Sequence, residues 1–99
     1  MKQYEFFRVT LEDHIATITI SRPKALNALS TAVVTELETV IEDVSAMDDA
    51  WVVIFTGDGD KAFVAGGDIK EMYTMNPDQG VAYSKLGTRV LYKIENMPQ

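Results

Sequence analysis

Residues 63–70, with the sequence Phe-Val-Ala-Gly-Gly-Asp-Ile-Lys, follow a strand-like run and open a helix-like one. The preceding run, Trp51–Thr56, is rich in β-branched and aromatic residues and is followed by the turn-like stretch Gly57–Asp60, so the pattern predicts a buried strand ending in a tight corner. Two adjacent glycines, Gly66 and Gly67, remove both Cβ atoms, which permits positive φ and lets a ligand approach the backbone amides. The stretch therefore predicts a strand, a turn and a helix start around accessible backbone.

Asp68 and Glu71 mark the start of the helix that follows the glycines. Asp68 is a favourable N-cap, and Glu71 three positions later completes an Asp version of a capping box for a helix through Ile69–Met72. Free N–H groups and the positive end of the helix dipole would then converge near Gly67. Such preorganised donors can stabilise an oxyanion that forms during a reaction, by roughly 3–4 kcal/mol each.

A second interpretation of the same spacing needs no ligand. The glycines would then make an ordinary strand-to-helix turn, and Asp68 would only cap the helix. Asp68 is explained better as a cap than as a catalytic acid. Lys70 is explained better as a surface or phosphate-facing cation than as a general base, because nothing in the sequence indicates that it is buried. Spacing alone leaves both interpretations open.

Apolar periodicity outside this stretch predicts a hairpin and two longer helices. The hairpin strands alternate apolar residues about a turn at 12–14, at Phe7, Val9, Leu11, Ala16, Ile18 and Ile20. The first helix would be capped by Ser30 and bury Val33, Val34, Leu37, Val40, Ile41, Val44 and Met47. The second would be capped by Asn76 and run to about Asn96, with its apolar face at Val81, Leu86, Val90, Leu91, Ile94 and Met97. The order of elements predicts an α/β fold.

Charge and composition exclude several functions. The net charge is −6, and six of the acidic residues lie between Thr31 and Ala50 on what we predict to be a solvated helix face. Nucleic-acid binding is therefore disfavoured, because phosphate contact needs clustered basic side chains. Basic residues gather instead at Arg22, Lys24, Lys61 and Lys70, within residues 18–29 and 61–72.

The residue types present also exclude thiol chemistry and disfavour a metal site. The 99 residues contain no cysteine and one histidine, His14, which we predict to be an exposed turn residue beside Asp13. No apolar stretch approaches the roughly 20 residues of a membrane span, and the amino terminus lacks a signal peptide core. We expect no metal, no membrane association and a cytoplasmic location.

Two segments resemble the enoyl-CoA hydratase/isomerase (crotonase) superfamily. Residues 61–72, Lys-Ala-Phe-Val-Ala-Gly-Gly-Asp-Ile-Lys-Glu-Met, resemble its signature segment, and residues 18–29, Ile-Thr-Ile-Ser-Arg-Pro-Lys-Ala-Leu-Asn-Ala-Leu, resemble its early strand and the loop after it. Both stand in the family's order, so the resemblance covers nearly the whole chain. It implies the amino-terminal part of the crotonase-like β-β-α spiral, with residues 1–99 forming one incomplete domain.

The resemblance also implies roles for the residues that match. The backbone N–H of Gly67 would be the catalytic oxyanion-hole donor to a thioester carbonyl. Lys24, Ala25 and Leu26 would contact the adenine and phosphate end of coenzyme A. The channel for the acyl-CoA would be completed by Ala65, Gly66, Gly67, Asp68, Ile69 and Lys70. In a functional interpretation Met72, Tyr73 and Met75 border the acyl pocket, whereas ordinary core or linker packing explains them more simply.

Addition of water to a 2-enoyl-CoA is the reaction that the resemblance implies, with the coenzyme A thioester as substrate and no separate cofactor. The second oxyanion amide and the acid/base glutamates would follow residue 99, so we expect the isolated chain to be inactive. Many hydratases have alanine at the position of Gly67, and a 3-hydroxyisobutyryl-CoA hydrolase-like enzyme is one alternative. A non-catalytic binding or assembly module is the other. The family implies a homo-oligomer, a trimer or a dimer of trimers.

Overall fold

The computed structural model describes residues 2–99, which begin with an antiparallel hairpin. β1 (Phe7–Glu12) pairs with β2 (Ile15–Ile20), with Phe7 opposite Ile20. Asp13 and His14 have φ angles of 51° and 66°. Two consecutive positive φ angles are typical of the tight turn whose twist matches that of the flanking strands. The predicted hairpin is confirmed.

A third strand, β3 (Val52–Gly57), pairs in parallel with β2 and completes a sheet of order β1-β2-β3. Val53 and Phe55 pack against the core, but Val52 and Ile54 are 53% and 46% exposed. The prediction of a buried strand is therefore wrong for one face. The reason is that β3 lies at the edge of the sheet, and only one sheet face is covered within the described residues.

The helix α1 (Thr31–Ser45) connects β2 to β3 and supplies much of the core. The hydroxyl of Ser30 caps it by accepting from the Val33 amide at 3.2 Å. Its inner face packs on the sheet, as predicted, with Met47 partly buried beside the core. The fully or nearly fully buried residues of this face are Val33, Val34, Leu37, Val40, Ile41 and Val44.

Two further helices follow β3. They are α2 (Ile69–Tyr73) and α3 (Pro77–Glu95), and Asn76 and Gln79 form a reciprocal capping box at the start of α3. Val90 is buried against the core, as predicted. The apolar face predicted for this helix is not buried at Val81 and Leu91, which are 54% and 63% exposed. The reason is that only one narrow side of α3 meets α1.

The acidic residues predicted on a solvated face lie at the surface, with Glu42, Asp48 and Asp49 exposed, but several of them have partners that the sequence did not indicate. Glu38 accepts from Arg89 at 2.8 Å and from Lys93 at 3.0 Å, both on α3. Glu36 accepts the amides of Glu5 and Phe6 at 3.0 and 2.6 Å. Carboxylates on α1 therefore join this helix both to α3 and to the segment before β1.

Acidification is expected to weaken the junction between α1 and α3. Hydrogen bonds from Arg89 and Lys93 lower the pKa of Glu38 from 4.5 to about 2. Because the folded-state pKa is the lower one, this stabilisation is present above about pH 5 and is lost as pH falls towards 2. Glu38→Gln should reduce the free energy of unfolding at pH 7 by about 1 kcal/mol and flatten its decline in acid.

Urea denaturation at a series of pH values measures this effect. The matched control is Glu12→Gln, which changes an exposed carboxylate at the end of β1. A pH dependence as steep in Glu38→Gln as in the wild-type chain would show that the Glu38 pairs do not stabilise the fold.

Candidate functional site

Two loops meet at the end of the sheet and are joined by a short backbone ladder. The first loop is 21–30 and the second is 58–68. The Ala65 amide donates to Leu26 O at 3.1 Å, and the Leu29 amide donates to Gly66 O at 2.8 Å. The Asp68 amide donates back to Leu29 O at 3.1 Å. The two segments that carry the predicted site residues therefore lie side by side and are fixed to each other.

The amide of Gly67 is left out of this ladder. The Gly66 carbonyl and the Asp68 amide on either side both bond to Leu29, whereas the Gly67 N–H, like that of Gly66, donates to no residue among 2–99. Gly66 has a φ of 108°, a conformation that L-residues with a side chain rarely adopt. That conformation directs the Gly66 carbonyl to Leu29 and leaves the next N–H without a partner in the described chain. A free amide in a rigid loop is the geometry that an oxyanion-binding donor requires.

The space beside Gly67 is bordered by Met72 and Tyr83. A Cβ on Gly67 would lie 2.8 Å from Met72 Sδ and 3.1 Å from the Tyr83 hydroxyl oxygen. These side chains and Met75 also line a groove of about 550 Å³ between α2 and α3. The position of this groove fits the acyl-pocket interpretation of Met72 and Met75, whereas Tyr73 is 89% exposed and does not line it.

Asp68 caps α2 and pairs with the first loop. Its carboxylate accepts from the Glu71 amide at 3.2 Å and from Arg22 Nη1 at 2.9 Å. The hydrogen bond from Arg22, with that from the Glu71 amide, holds the pKa of Asp68 below its usual range. The cap is confirmed, and Asp68 remains ionised as a structural anchor.

The reciprocal half of the predicted capping box is absent. The Glu71 carboxylate accepts from the amide and the hydroxyl of Thr31, both at 2.7 Å, at the start of α1. The Asp68 amide that it was expected to bind donates to Leu29 O instead. The competing partner is tertiary, and a local sequence pattern cannot reveal it.

Asn27 is the buried centre of the first loop, a role that the sequence pattern did not predict. It is 1% exposed and has a φ of 58°. Its Oδ1 accepts from the Arg22 amide at 2.8 Å, and its Nδ2 donates to Asp58 O and Ala62 O, both at 3.0 Å. One side chain therefore joins the first loop to both halves of the second. Its tolerance of a left-handed conformation was the one available sequence signal.

The other predicted binding residues are divided between two places. Lys24 and Leu26 line a cavity of about 270 Å³ together with Lys61, Asp58 and Asp60. Ala25 belongs to a 3₁₀ turn, Pro23–Ala25, that shapes this side of the first loop.

The remaining predicted residues lie elsewhere. Ile69 is 71% exposed, and Lys70 is exposed beside it on α2. Arg22 is engaged by Asp68, so of the four basic residues grouped by sequence only Lys24 and Lys61 share the cavity.

His14 lies away from both loops and stacks on Trp51, with ring centroids 3.6 Å apart. It is exposed in the hairpin turn, as predicted. Within residues 2–99 no three His, Cys, Asp or Glu side chains are grouped as metal ligands. None of the helices described is both long enough and apolar enough to cross a bilayer.

Known proteins share this sequence and this architecture. The model of the Enoyl-CoA hydratase/isomerase family matches residues 10–99. The chain is 43% identical over 84 residues to a short-chain-enoyl-CoA hydratase of Clostridium acetobutylicum, covering 85% of this chain and 32% of that protein. It is 35% identical over 94 residues to a crotonyl-CoA hydratase of Syntrophomonas wolfei, covering 95% of this chain and 36% of that protein.

Solved structures agree with the sequence matches. An enoyl-CoA hydratase from Bacillus anthracis superposes with a TM-score of 0.92 at 31% identity, covering 96% of this chain and 37% of that one. An enoyl-CoA hydratase/carnithine racemase from Magnetospirillum magneticum gives 0.90 at 34% identity, covering 98% and 37%. The chain thus spans about a third of the length of these relatives, and its fold corresponds to part of theirs.

Proposed function

The chain belongs to the enoyl-CoA hydratase/isomerase family, and from that premise we propose that it carries the thioester-binding part of an enoyl-CoA hydratase site. The observation that carries the proposal is the Gly67 amide, which has no partner among residues 2–99 although the groups on either side of it are fixed to the first loop. Gly67 is partly exposed, and the bonds of its neighbours to Leu29 set the position of its amide before a ligand arrives. Preorganisation of this kind is what makes a backbone amide effective towards a developing oxyanion.

The proposed chemistry begins at the thioester carbonyl. Gly67 N–H donates to that oxygen and draws electron density along the conjugated C2–C3 double bond, which makes C3 electrophilic. When water adds at C3, negative charge develops on the thioester oxygen as an enolate, and the amide stabilises this charge more strongly than the neutral carbonyl. Protonation at C2 then gives the 3-hydroxyacyl-CoA. We assign the acid and base of these steps to no residue of this chain.

Coenzyme A is proposed to lie across the first loop. Lys24 and Lys61 line the cavity beside Leu26 and offer two ammonium groups to the phosphates. Asp58 and Asp60 line the same cavity, so the net attraction there is modest. Hydrogen bonds from Ser21 and Arg8 lower the pKa of the Asp58 carboxyl and hold its carboxylate towards these two residues. Ile69 and Lys70 remain proposed channel residues.

A thioester hydrolase of the 3-hydroxyisobutyryl-CoA type is the second candidate, and the observation that favours it is glycine in place of alanine at position 67. The same amide would then stabilise a tetrahedral oxyanion. The proposal needs no cofactor beyond the coenzyme A thioester. Turnover by a whole protein, and a homo-oligomer such as a trimer, remain predictions.

Calorimetric titration with acetoacetyl-CoA and with free coenzyme A tests the proposed function. The two ligands share the nucleotide end, and only the first has a thioester carbonyl and an enolisable acyl group. We expect acetoacetyl-CoA to bind at least tenfold more tightly, because a hydrogen bond to a charged or enolate-like oxygen contributes about 1.5–3 kcal/mol. Equal affinities for the two ligands would contradict a thioester-binding role.

A further inference from the structure

The direction of the Gly67 N–H is set by the carbonyl of its own peptide group. Residues 2–99 contain no cis peptide bond. In a planar trans peptide group the C=O and the N–H point in opposite directions. The Gly66 carbonyl accepts from the Leu29 amide at 2.8 Å. The Gly67 N–H belongs to the same peptide group as this carbonyl and therefore points away from the first loop.

The peptide group that holds the Gly66 carbonyl is itself held by a charged side chain. The Leu29 N–H shares a peptide group with the Ala28 carbonyl, which accepts from Arg22 Nη1 at 3.0 Å. Hydrogen bonds thus run in one direction from the Arg22 guanidinium, through two peptide groups, to the Gly67 N–H. Each peptide dipole has its negative end towards the guanidinium. Bonds in such a series polarise one another, and the bond to the charged group is the strongest of them.

The Arg22 guanidinium has a second partner that fixes it in place. Its side chain is 30% exposed, and Nη1 also donates to Asp68 Oδ2 at 2.9 Å. A guanidinium has five donor hydrogens and stays protonated in proteins, so both bonds can form at once. The pairing also offsets the charge of Asp68, the residue after Gly67, because an unpaired carboxylate there would repel a developing oxyanion.

We propose that Arg22 is a positioning residue for the oxyanion donor, which orients the Gly67 N–H through the two peptide groups and strengthens it as a donor. This inference rests on the proposed function, because it takes this N–H to bind the thioester oxygen. The action of Arg22 is indirect. Its charge reaches the thioester through hydrogen bonds that each strengthen the next by about 10–30%.

An NMR titration with butyryl-CoA carrying ¹³C at the thioester carbonyl tests the proposal. The carbonyl resonance moves to higher frequency as its oxygen accepts a stronger hydrogen bond, and the same titration gives the dissociation constant. Arg22→Gln removes the charge and should reduce the shift at saturation and lower the affinity about fivefold. Arg89→Gln is the matched control, because it breaks an arginine pair with Glu38 outside both loops. It should keep the shift at saturation.

Asp68→Asn is a second variant, and its expected effect has the opposite sign. Asparagine is as good an N-cap as aspartate, so α2 should remain capped. The Arg22 guanidinium then no longer shares its charge with a carboxylate. The shift at saturation should therefore be larger than in the wild-type chain. This variant tests the proposal even if Arg22→Gln does not fold.

The shift at saturation separates polarisation of the donor from folding of the loops. If Arg22 only stabilised the loops, Arg22→Gln would lower the affinity and leave this shift unchanged, which would overturn the inference while the proposed function stands. A shift in Asp68→Asn no larger than in the wild-type chain would overturn it likewise. Failure of the carbonyl resonance to move in the wild-type chain would overturn the proposed function, and this inference with it.

Discussion

Asn27→Ala is expected to lower the free energy of unfolding by about 3–5 kcal/mol, because it leaves several buried backbone groups without partners. The Asn27 side chain is 1% exposed and makes three hydrogen bonds, to Arg22 N, Asp58 O and Ala62 O. Alanine would also have to adopt the φ of 58° found at this position, which asparagine tolerates better. A typical domain is stable by only ~5–15 kcal/mol, so this change would remove a large share of the free energy of unfolding.

Chemical denaturation monitored by circular dichroism measures this change. Asn96→Ala is the control, because Asn96 is exposed and its side chain makes one hydrogen bond, to Tyr92 O within the last turn of α3. It should change stability by less than about 1 kcal/mol. If Asn27→Ala were equally mild, the two loops would not depend on this side chain for their connection.

Gly57 lies at a point where the second loop and the Asn27 side chain come very close to the end of β3. A Cβ on Gly57 would lie 2.6 Å from Phe63 O, 2.7 Å from Ala62 O and 2.8 Å from Asn27 Nδ2. The second loop therefore folds back directly over the end of β3. Glycine at the end of that strand is a packing requirement, although the sequence suggested only a turn.

Most of the fold was predictable because its signals are local. The hairpin, α1 and α3 each combine an apolar period with a turn or cap of matching chemistry, and these elements formed where they were expected. The errors concern which faces are covered. Val52, Ile54 and Leu91 are residue types common in cores, but their side chains are 53%, 46% and 63% exposed. Periodicity identifies an apolar face and cannot tell what packs on it.

The site was only partly predictable for a similar reason. The glycine pair and the Asp68 cap are local features and could be read from spacing. The bonds of Arg22 to Asp68, Glu71 to Thr31 and Tyr83 to Leu29 join residues at least 40 positions apart in sequence. No pattern in one sequence encodes such partners. For this reason the apolar pattern of α3 did not indicate the hydrogen bond between Tyr83 and Leu29.

Gly67→Pro is expected to weaken acetoacetyl-CoA binding by at least tenfold, because proline has no amide hydrogen to donate. Gly67→Ala is the matched control. It keeps the N–H and adds a Cβ that meets the movable Met72 side chain at 2.8 Å and the Tyr83 oxygen at 3.1 Å. The alanine variant therefore reports the steric cost of the added Cβ, and the further loss in the proline variant reports the missing N–H together with the proline ring.

Calorimetric titration of the wild-type chain, Gly67→Ala and Gly67→Pro with acetoacetyl-CoA tests the central claim most directly, that a free backbone amide at Gly67 binds the thioester oxygen. Circular dichroism spectra of all three should first show the same helix and strand content. We predict saturable binding by the wild-type chain, somewhat weaker binding by Gly67→Ala, and a further loss of at least tenfold in Gly67→Pro. Equal affinities in Gly67→Pro and Gly67→Ala would contradict the assignment of the oxyanion donor to this amide.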